Sequence, residues 1–163
     1  SNLQLLMLND SPFGDAGIPA LEPFKNLSVL NLRNTPITGK GLNVLKGHSK
    51  LLTLDVSATQ LNDAGLKEVG DLTQVGYLPL NKTKITDAGV PSKLTRLDLE
   101  DTALTGAGFR TLTALEKVTL VNLSGTKFNS GGLDNLAALP NVTTLILNGT
   151  AIDDAIIPRL KQF

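Results

Sequence analysis

The chain contains no cysteine and no tryptophan, only 4% aromatic residues, and no long hydrophobic run. Without cysteine there is neither a disulfide framework nor a thiolate nucleophile or metal ligand. No apolar stretch approaches the roughly 20 residues that span a bilayer. Fifteen basic side chains balance fifteen acidic ones, whereas nucleic acids and anionic membranes usually demand a basic excess. We therefore predict no nucleic-acid partner and no membrane insertion.

Aliphatic residues are abundant, and they recur with a fixed period. The repeats start at Leu3, Leu27, Leu51, Val75, Leu94, Val118 and Val142. These starts are 24, 24, 24, 19, 24 and 24 residues apart. Five identical intervals indicate an internal repeat rather than chance, and internal repeats of this length are typical of solenoids.

Each repeat changes its hydrophobic period halfway along. Apolar residues stand three and five positions after each start, which predicts a short strand buried on one face. Pairs of apolar residues three apart follow, such as Leu42 and Leu45, and these predict a short helix with one inward face. Because a unit of 24 residues cannot cover its own apolar side, we predict that the repeats stack into a solenoid with a continuous core.

Polar residues also form columns. A hydroxyl column follows the strands, where it can bind backbone carbonyls at a buried turn: Ser11, Thr35, Thr59, Thr83, Thr102, Thr126 and Thr150. An acidic column is predicted to cap the helices: Asp15, Asp63, Asp87 and Asp154, with Thr38, Thr86 and Thr105 as caps in an alternative register. A glycine column implies either contact with the adjacent coil or a glycine-only backbone angle: Gly17, Gly41, Gly65, Gly89, Gly108 and Gly132.

The consensus LxxLxLxxTxITDAGLxxLxxL resembles the leucine-rich repeat, specifically the type whose convex side reads T-D-x-G-L. It is similar to the cysteine-containing repeats of F-box-type adaptors and to repeats of many bacterial surface proteins, with threonine in place of the usual cysteine or asparagine. The resemblance covers residues 3–163. It implies an α/β fold: a right-handed solenoid with a parallel concave sheet and short convex helices. We expect one domain of seven repeats over residues 1–163, as a fragment of a longer bacterial-like protein that is secreted or displayed at the cell surface.

The fourth repeat departs from the pattern, since it is five residues shorter than the others. Pro79 falls within its strand and cannot donate to a ladder, and Pro91 restricts its helix. Either a tight turn replaces the convex helix, or a loop is missing from the sequence. The fourth repeat is therefore where we expect a kink, a weak joint or an interaction feature, the alternative being a local irregularity without function.

Candidate catalytic groups are scarce. His48 is the only histidine and occupies a column otherwise filled by Phe and Leu, so we predict a partly buried surface residue. Asp153 and Asp154 are interpreted as a doubled helix cap. No catalytic, metal or cofactor site is predicted, and we do not expect an enzyme.

The strand residues that alternate with the buried ones face the concave side. They provide 21 positions, comparable to the roughly 20–30 residues per side of a standard protein interface. The middle of this face has mixed charge and includes the Tyr and Arg types enriched at hot spots. We predict partner binding by Arg33, Asp55, Tyr77, Arg96, Asp98 and Glu100.

Two functions are compatible with such a face. The first is a non-enzymatic scaffold that binds a protein or peptide. The alternative is a substrate-recruiting adaptor segment of a larger ligase or effector. Because no polar end caps are visible in the sequence, self-association through uncapped ends is a further expectation.

Overall fold

Short strands alternate with short helices along the chain. This computed structural model describes residues 1–69, 72, 74–90, 94–111, 117–136 and 139–162. The strands in these residues are β1 (Leu5–Met7), β2 (Val29–Asn31), β3 (Thr53–Asp55), β4 (Arg96–Asp98), β5 (Leu120–Asn122) and β6 (Thr144–Ile146). The α-helices are α1 (Asp63–Val69) and α2 (Ser130–Leu136). The 3-10 helices are η1 (Asp15–Leu21), η2 (Leu42–Gly47), η3 (Asp87–Gly89), η4 (Ala107–Thr111) and η5 (Asp154–Gln162).

Neighbouring strands pair in parallel, and the register follows the sequence period. Leu6 pairs with Leu30, and Leu30 pairs with Leu54. Leu97 pairs with Val121 in the same way farther along the chain. The predicted α/β fold, in which parallel strands alternate with short helices, is therefore confirmed.

The core is a continuous apolar cluster between the strands and the helices. Leu54 and Leu97 are both 0% exposed, as the strand pattern requires. Leu6 and Leu145 occupy the same column but are only partly buried. The difference arises because the first and last strands described have a neighbour on one side only, so stacking accounts for the burial.

The aspartates of the acidic column do not cap their own helices, which corrects the prediction. Each is the first residue of its helix, and three carboxylates accept hydrogen bonds from the backbone N–H and the hydroxyl of a threonine in the next repeat. We call these contacts Asp–Thr clasps: Asp15 with Thr38, Asp63 with Thr86, and Asp87 with Thr105. The acidic column therefore joins adjacent repeats rather than ending individual helices.

The residue just before the acidic column provides the helix caps. Thr86 is the N-cap of η3 and accepts from the Ala88 N–H at 3.3 Å, so the alternative register was right at this position. Asn62 accepts from the Gly65 N–H, and Asn129 accepts from the Gly131 N–H. Both α-helices among the described elements follow one of these asparagines, which are strong N-cap residues. In the last repeat Asp153 has this role and accepts from the Ala155 N–H at 3.1 Å.

The fourth repeat lacks a strand, which corrects the expectation of seven strands. Its residues form an isolated bridge, Thr53 to Tyr77, and the strands group into two sheets of three, β1–β3 and β4–β6. Pro79 has no N–H with which to continue the ladder. The convex helix η3 is shortened to the three residues Asp87–Gly89. Pro91 lies outside the described residues.

The hydroxyl column has the structural role predicted for it. All seven hydroxyls donate to the carbonyl oxygen three residues earlier, at 2.5–2.7 Å. The side chain of Thr59 also accepts from the Leu61 N–H at 3.2 Å, which closes the turn from both sides. Each turn after a strand thus carries its own internal donor.

We expect Thr102→Val to lower the free energy of unfolding by about 1–2 kcal/mol, because a buried carbonyl loses its donor. Thr102 is 5% exposed and donates to the oxygen of Leu99, a residue that is 0% exposed. The measurement is the midpoint of chemical denaturation. Thr119→Val, at an exposed threonine, is the control and should leave the midpoint unchanged. A wild-type midpoint for Thr102→Val would refute this role for the hydroxyl column.

Candidate functional site

The concave face is defined here as the residues two, four and six positions after each repeat start. Its residues range from exposed to buried. Leu5, Met7 and Tyr77 are 54%, 52% and 40% exposed, whereas Ser57 is only 4% exposed. Pro79 is also buried. The apolar exposure is thus concentrated in the first repeat, and the polar residues accessible to a partner lie farther along.

Tyr77, Arg96 and Asp98 form a contiguous group on this face. The Arg96 guanidinium carbon lies 5.7 Å from the centroid of the Tyr77 ring, and its Nη2 lies 3.5 Å from Asp98 Oδ2. The Arg96 side chain is 46% exposed, against 15% for Asp98. A cation–π contact at an exposed site contributes about 0.5–1 kcal/mol, and a surface ion pair contributes about 0–1 kcal/mol. Arg96 is therefore oriented by its neighbours but remains available to a partner.

Asn122 connects the acidic residues of the group, a role that the sequence analysis did not assign. Its amide nitrogen lies 3.1 Å from Asp98 Oδ1 and 3.4 Å from Glu100 Oε2. The available signal was its position, because Asn122 pairs with Asp98 in the ladder between β4 and β5. We call Tyr77, Arg96, Asp98, Glu100 and Asn122 the concave cluster.

The structure does not bring Arg33 and Asp55 into the concave cluster. Asp55 Oδ1 accepts from the Ser57 N–H at 3.0 Å and from the Ser57 hydroxyl at 2.6 Å, so it closes the turn after β3. Arg33 is exposed, and its backbone N–H donates to the side-chain oxygen of Asn31. Within the described residues, no hydrogen bond or ion pair links either side chain to the concave cluster. Four of the six predicted residues are thus grouped together.

The charge of Arg33 instead affects the carboxylate of Asp10, in the first repeat. Hydrogen bonds from Asn34 and Asn9 lower the pKa of Asp10, and the nearby Arg33 charge adds a smaller effect in the same direction. Asp10 is exposed. Arg33 therefore belongs to a separate polar patch before the middle of the face.

His48 is fully buried, which corrects the prediction of a partly buried surface residue. It is 0% exposed, and its Nε2 lies 3.1 Å from the carbonyl oxygen of Leu21. Its Nδ1 is buried without a partner among the described groups. The ring replaces an apolar residue of its column and lies in the core, away from the concave face.

The described residues contain no group of three or more His, Cys, Asp or Glu placed to hold a metal ion. Among those same residues, no helix has the length and apolar character needed to cross a membrane.

Stacked parallel strands, a hydroxyl at each turn and short helices opposite the sheet define the leucine-rich repeat fold. Residues 47–70 match the family described as "Leucine Rich repeat". A comparison with curated proteins gives no match.

Solved structures show the same fold over nearly the whole chain. An internalin (inlF) of Listeria monocytogenes is 19% identical with a TM-score of 0.66, covering 98% of this chain and 52% of that one. An internalin C2 (inlC2) of the same organism is 20% identical with a TM-score of 0.67, covering 98% and 76%. A structure described as a TDR receptor is 21% identical with a TM-score of 0.62, covering 92% and 27%. The chain thus spans about half of the first internalin and about a quarter of the receptor.

Proposed function

We propose that the chain is a non-enzymatic recognition module that binds a protein or peptide through the concave cluster. The observation that carries this proposal is the arrangement of Tyr77, Arg96 and Asp98, with an exposed guanidinium over an exposed ring. Tyr and Arg are among the residue types that contribute most to binding energy at protein interfaces. The partner would place a carboxylate near Arg96 and a cationic or amide group near Glu100.

The backbone supports this use of the face. Within each three-stranded sheet, ladder hydrogen bonds tie neighbouring strands together, and the alternate residues of those strands are buried in the core. The part of the cluster on β4 and β5 therefore loses little conformational freedom on binding, which favours affinity. The description of one similar structure as a receptor agrees with a binding role.

The acidic groups of the cluster do not suggest catalysis. Asp98 and Glu100 share the amide of Asn122, and Asp98 also faces Arg96. The single histidine lies in the core, and the chain has no cysteine. These neighbours, Asn122 and Arg96, give each carboxylate a partner within the cluster, which supports a binding role over general acid–base catalysis.

We expect Arg96→Glu to weaken binding of the partner by about tenfold or more, because it replaces an attraction by a like-charge repulsion. Proteins retained by the immobilised wild-type chain are identified by mass spectrometry. The affinity of each one is then measured by surface plasmon resonance for wild type and variant. Thermal unfolding of the variant should show only the small loss expected when the contacts of Arg96 with Tyr77 and Asp98 are removed, about 2 kcal/mol at most.

Arg110→Glu is the matched control, since it makes the same charge change at an exposed arginine of η4. It should bind as wild type does. If every retained protein binds Arg96→Glu and Arg110→Glu equally well, the concave cluster is not the site.

A further inference from the structure

The ladder hydrogen bonding is incomplete on both sides of the fourth repeat. On the side of the third repeat, the N–H groups of Gly76 and Tyr77 donate to Leu52, and the Leu54 N–H donates to Tyr77, at 3.0–3.2 Å. The next bond would need an N–H at Pro79, which has none. The ladder resumes only where the Ala58 N–H donates to Asn81 at 2.8 Å.

On the side of β4 the opening is wider. Along residues 76–82, the described backbone bonds to β4 and the turn after it run from the Leu80 N–H to Asp98 and from the Lys82 N–H to Glu100, at 3.1 and 2.8 Å. Ladder bonds between Leu78 and Arg96, which the register of the other repeats would place here, are not formed. The two strand segments are therefore joined at one end and separated at the other.

The separated end is spanned by side chains. Tyr77 belongs to the first sheet through its bridge to Thr53, and Arg96 begins β4 in the second sheet. Their cation–π contact, with 5.7 Å between the guanidinium carbon and the ring centroid, crosses the opening on the concave face. On the opposite side the Asp87–Thr105 clasp joins the same repeats.

We propose that the fourth repeat is a hinge between the two three-stranded sheets, and that the Tyr77–Arg96 contact holds its resting angle. A partner that engages Arg96 then competes with the Tyr77 ring, so that binding changes the angle between the sheets. The hinge stands on the hydrogen bonds alone, whereas its coupling to a partner rests on the function proposed above. Differential interaction with the two angles is what allows a ligand to shift such an equilibrium.

The chain offers a matched set of label positions, because it is free of cysteine and carries exposed alanines at one column of the helices. Cysteine pairs at Ala16 and Ala64, Ala64 and Ala107, and Ala107 and Ala155 each span two repeats. Only the middle pair crosses the fourth repeat. With a nitroxide label on each cysteine, dipolar electron paramagnetic resonance of the free protein should show a broader distance distribution for the middle pair than for either flanking pair.

Three substitutions test the cause of the broad distribution in the middle pair. Pro79→Thr restores the N–H that is missing on the side of β3, with a residue that favours strands, and it should narrow the distribution part of the way toward the width of the flanking pairs. Tyr77→Leu removes the ring and should broaden or shift it further. Tyr77→Phe keeps the ring face and should leave the distribution unchanged.

Equal widths for all three pairs would overturn the hinge, as would a middle pair that does not respond to Pro79→Thr. A response to Tyr77→Phe as large as that to Tyr77→Leu would overturn the role of the cation–π contact. None of these measurements needs a partner. They can therefore fail while Arg96→Glu still weakens binding, or succeed while Arg96→Glu has no effect.

Discussion

Gly65→Ala is expected to lower the free energy of unfolding by about 2–4 kcal/mol, because two coils would have to move apart. A Cβ on Gly65 would overlap the carbonyl oxygen of Thr38 and lie 2.9 Å from the Cα of Gly39. Both neighbours are backbone atoms of the previous repeat, so no side-chain rotation relieves the overlap. The helix propensity of alanine in α1 offsets this by only about 1 kcal/mol. Chemical denaturation monitored by far-UV circular dichroism measures the difference.

Gly76→Ala is the control for this prediction. A Cβ there would meet no atom within 4 Å. The substitution should be neutral or slightly stabilising, because it restricts the unfolded chain. If both alanine variants unfold at the same denaturant concentration, close approach of the coils does not explain the glycine column.

Periodicity was sufficient to predict the fold because burial in a stack depends on column rather than on individual neighbours. Leu54 and Leu97 are buried since their column always faces the core. The close approach at Gly65 follows from the same logic. Gly41 follows the other explanation predicted for the glycine column, a backbone angle that favours glycine. Its φ is +88°, and a Cβ there would make only ordinary contacts.

Backbone conformation within a column was harder to predict. The position seven residues after each start has a positive φ throughout, and five of these residues are not glycine: Asp10, Asn34, Ala58, Lys82 and Asp101, with φ of 52–59°. Asn, Asp and Gly at this column are a usable signal, because they tolerate the left-handed region. Ala58 and Lys82 do not show this signal, because neither residue type favours a positive φ. The surrounding stack holds them in that conformation.

The sequence predicted which side of the strands the candidate residues lie on, but not which of their side chains contact one another. Alternation places Arg33, Asp55 and Arg96 on the same side of the strands, yet only Arg96 joins the concave cluster. Asp55 turns to its own backbone at Ser57 because a carboxylate at the end of a strand can accept from the N–H two residues later. Such local competition depends on rotamers, which a column pattern does not specify.

The clasps were missed for a related reason. Reasoning about helix caps considers donors within the same turn, whereas Asp63 bonds to a threonine 23 residues away. The aspartates of the clasps bond to the threonines of the next repeat, not to those of their own repeat. Their importance is best tested at Asp87, because its clasp crosses the junction where the sheet is incomplete.

Asp87→Ala is expected to lower the free energy of unfolding by about 2–3 kcal/mol, the range for hydrogen bonds to a charged group. The carboxylate accepts from the Thr105 hydroxyl at 2.5 Å and from the Gly106 N–H at 2.9 Å, and it also faces the Thr105 N–H. Denaturant unfolding at neutral pH measures the loss. Asp154→Ala is the matched control, because Asp154 begins η5 in the same column but is exposed and forms no clasp within the described residues.

The effect of Asp87 should also depend on pH with a defined sign. Partial burial raises the pKa of this carboxyl, but hydrogen bonds from Thr105, Gly108 and Gly106 outweigh burial and lower the pKa below 3.8. A group whose pKa is lower in the folded state stabilises the fold above its unfolded pKa and loses that contribution as the pH falls through the folded value. The difference between wild type and Asp87→Ala should therefore be constant from neutral pH to about pH 5 and shrink below about pH 4. A difference that persists unchanged at pH 3 would mean that packing, rather than the charged clasp, holds the fourth and fifth repeats together.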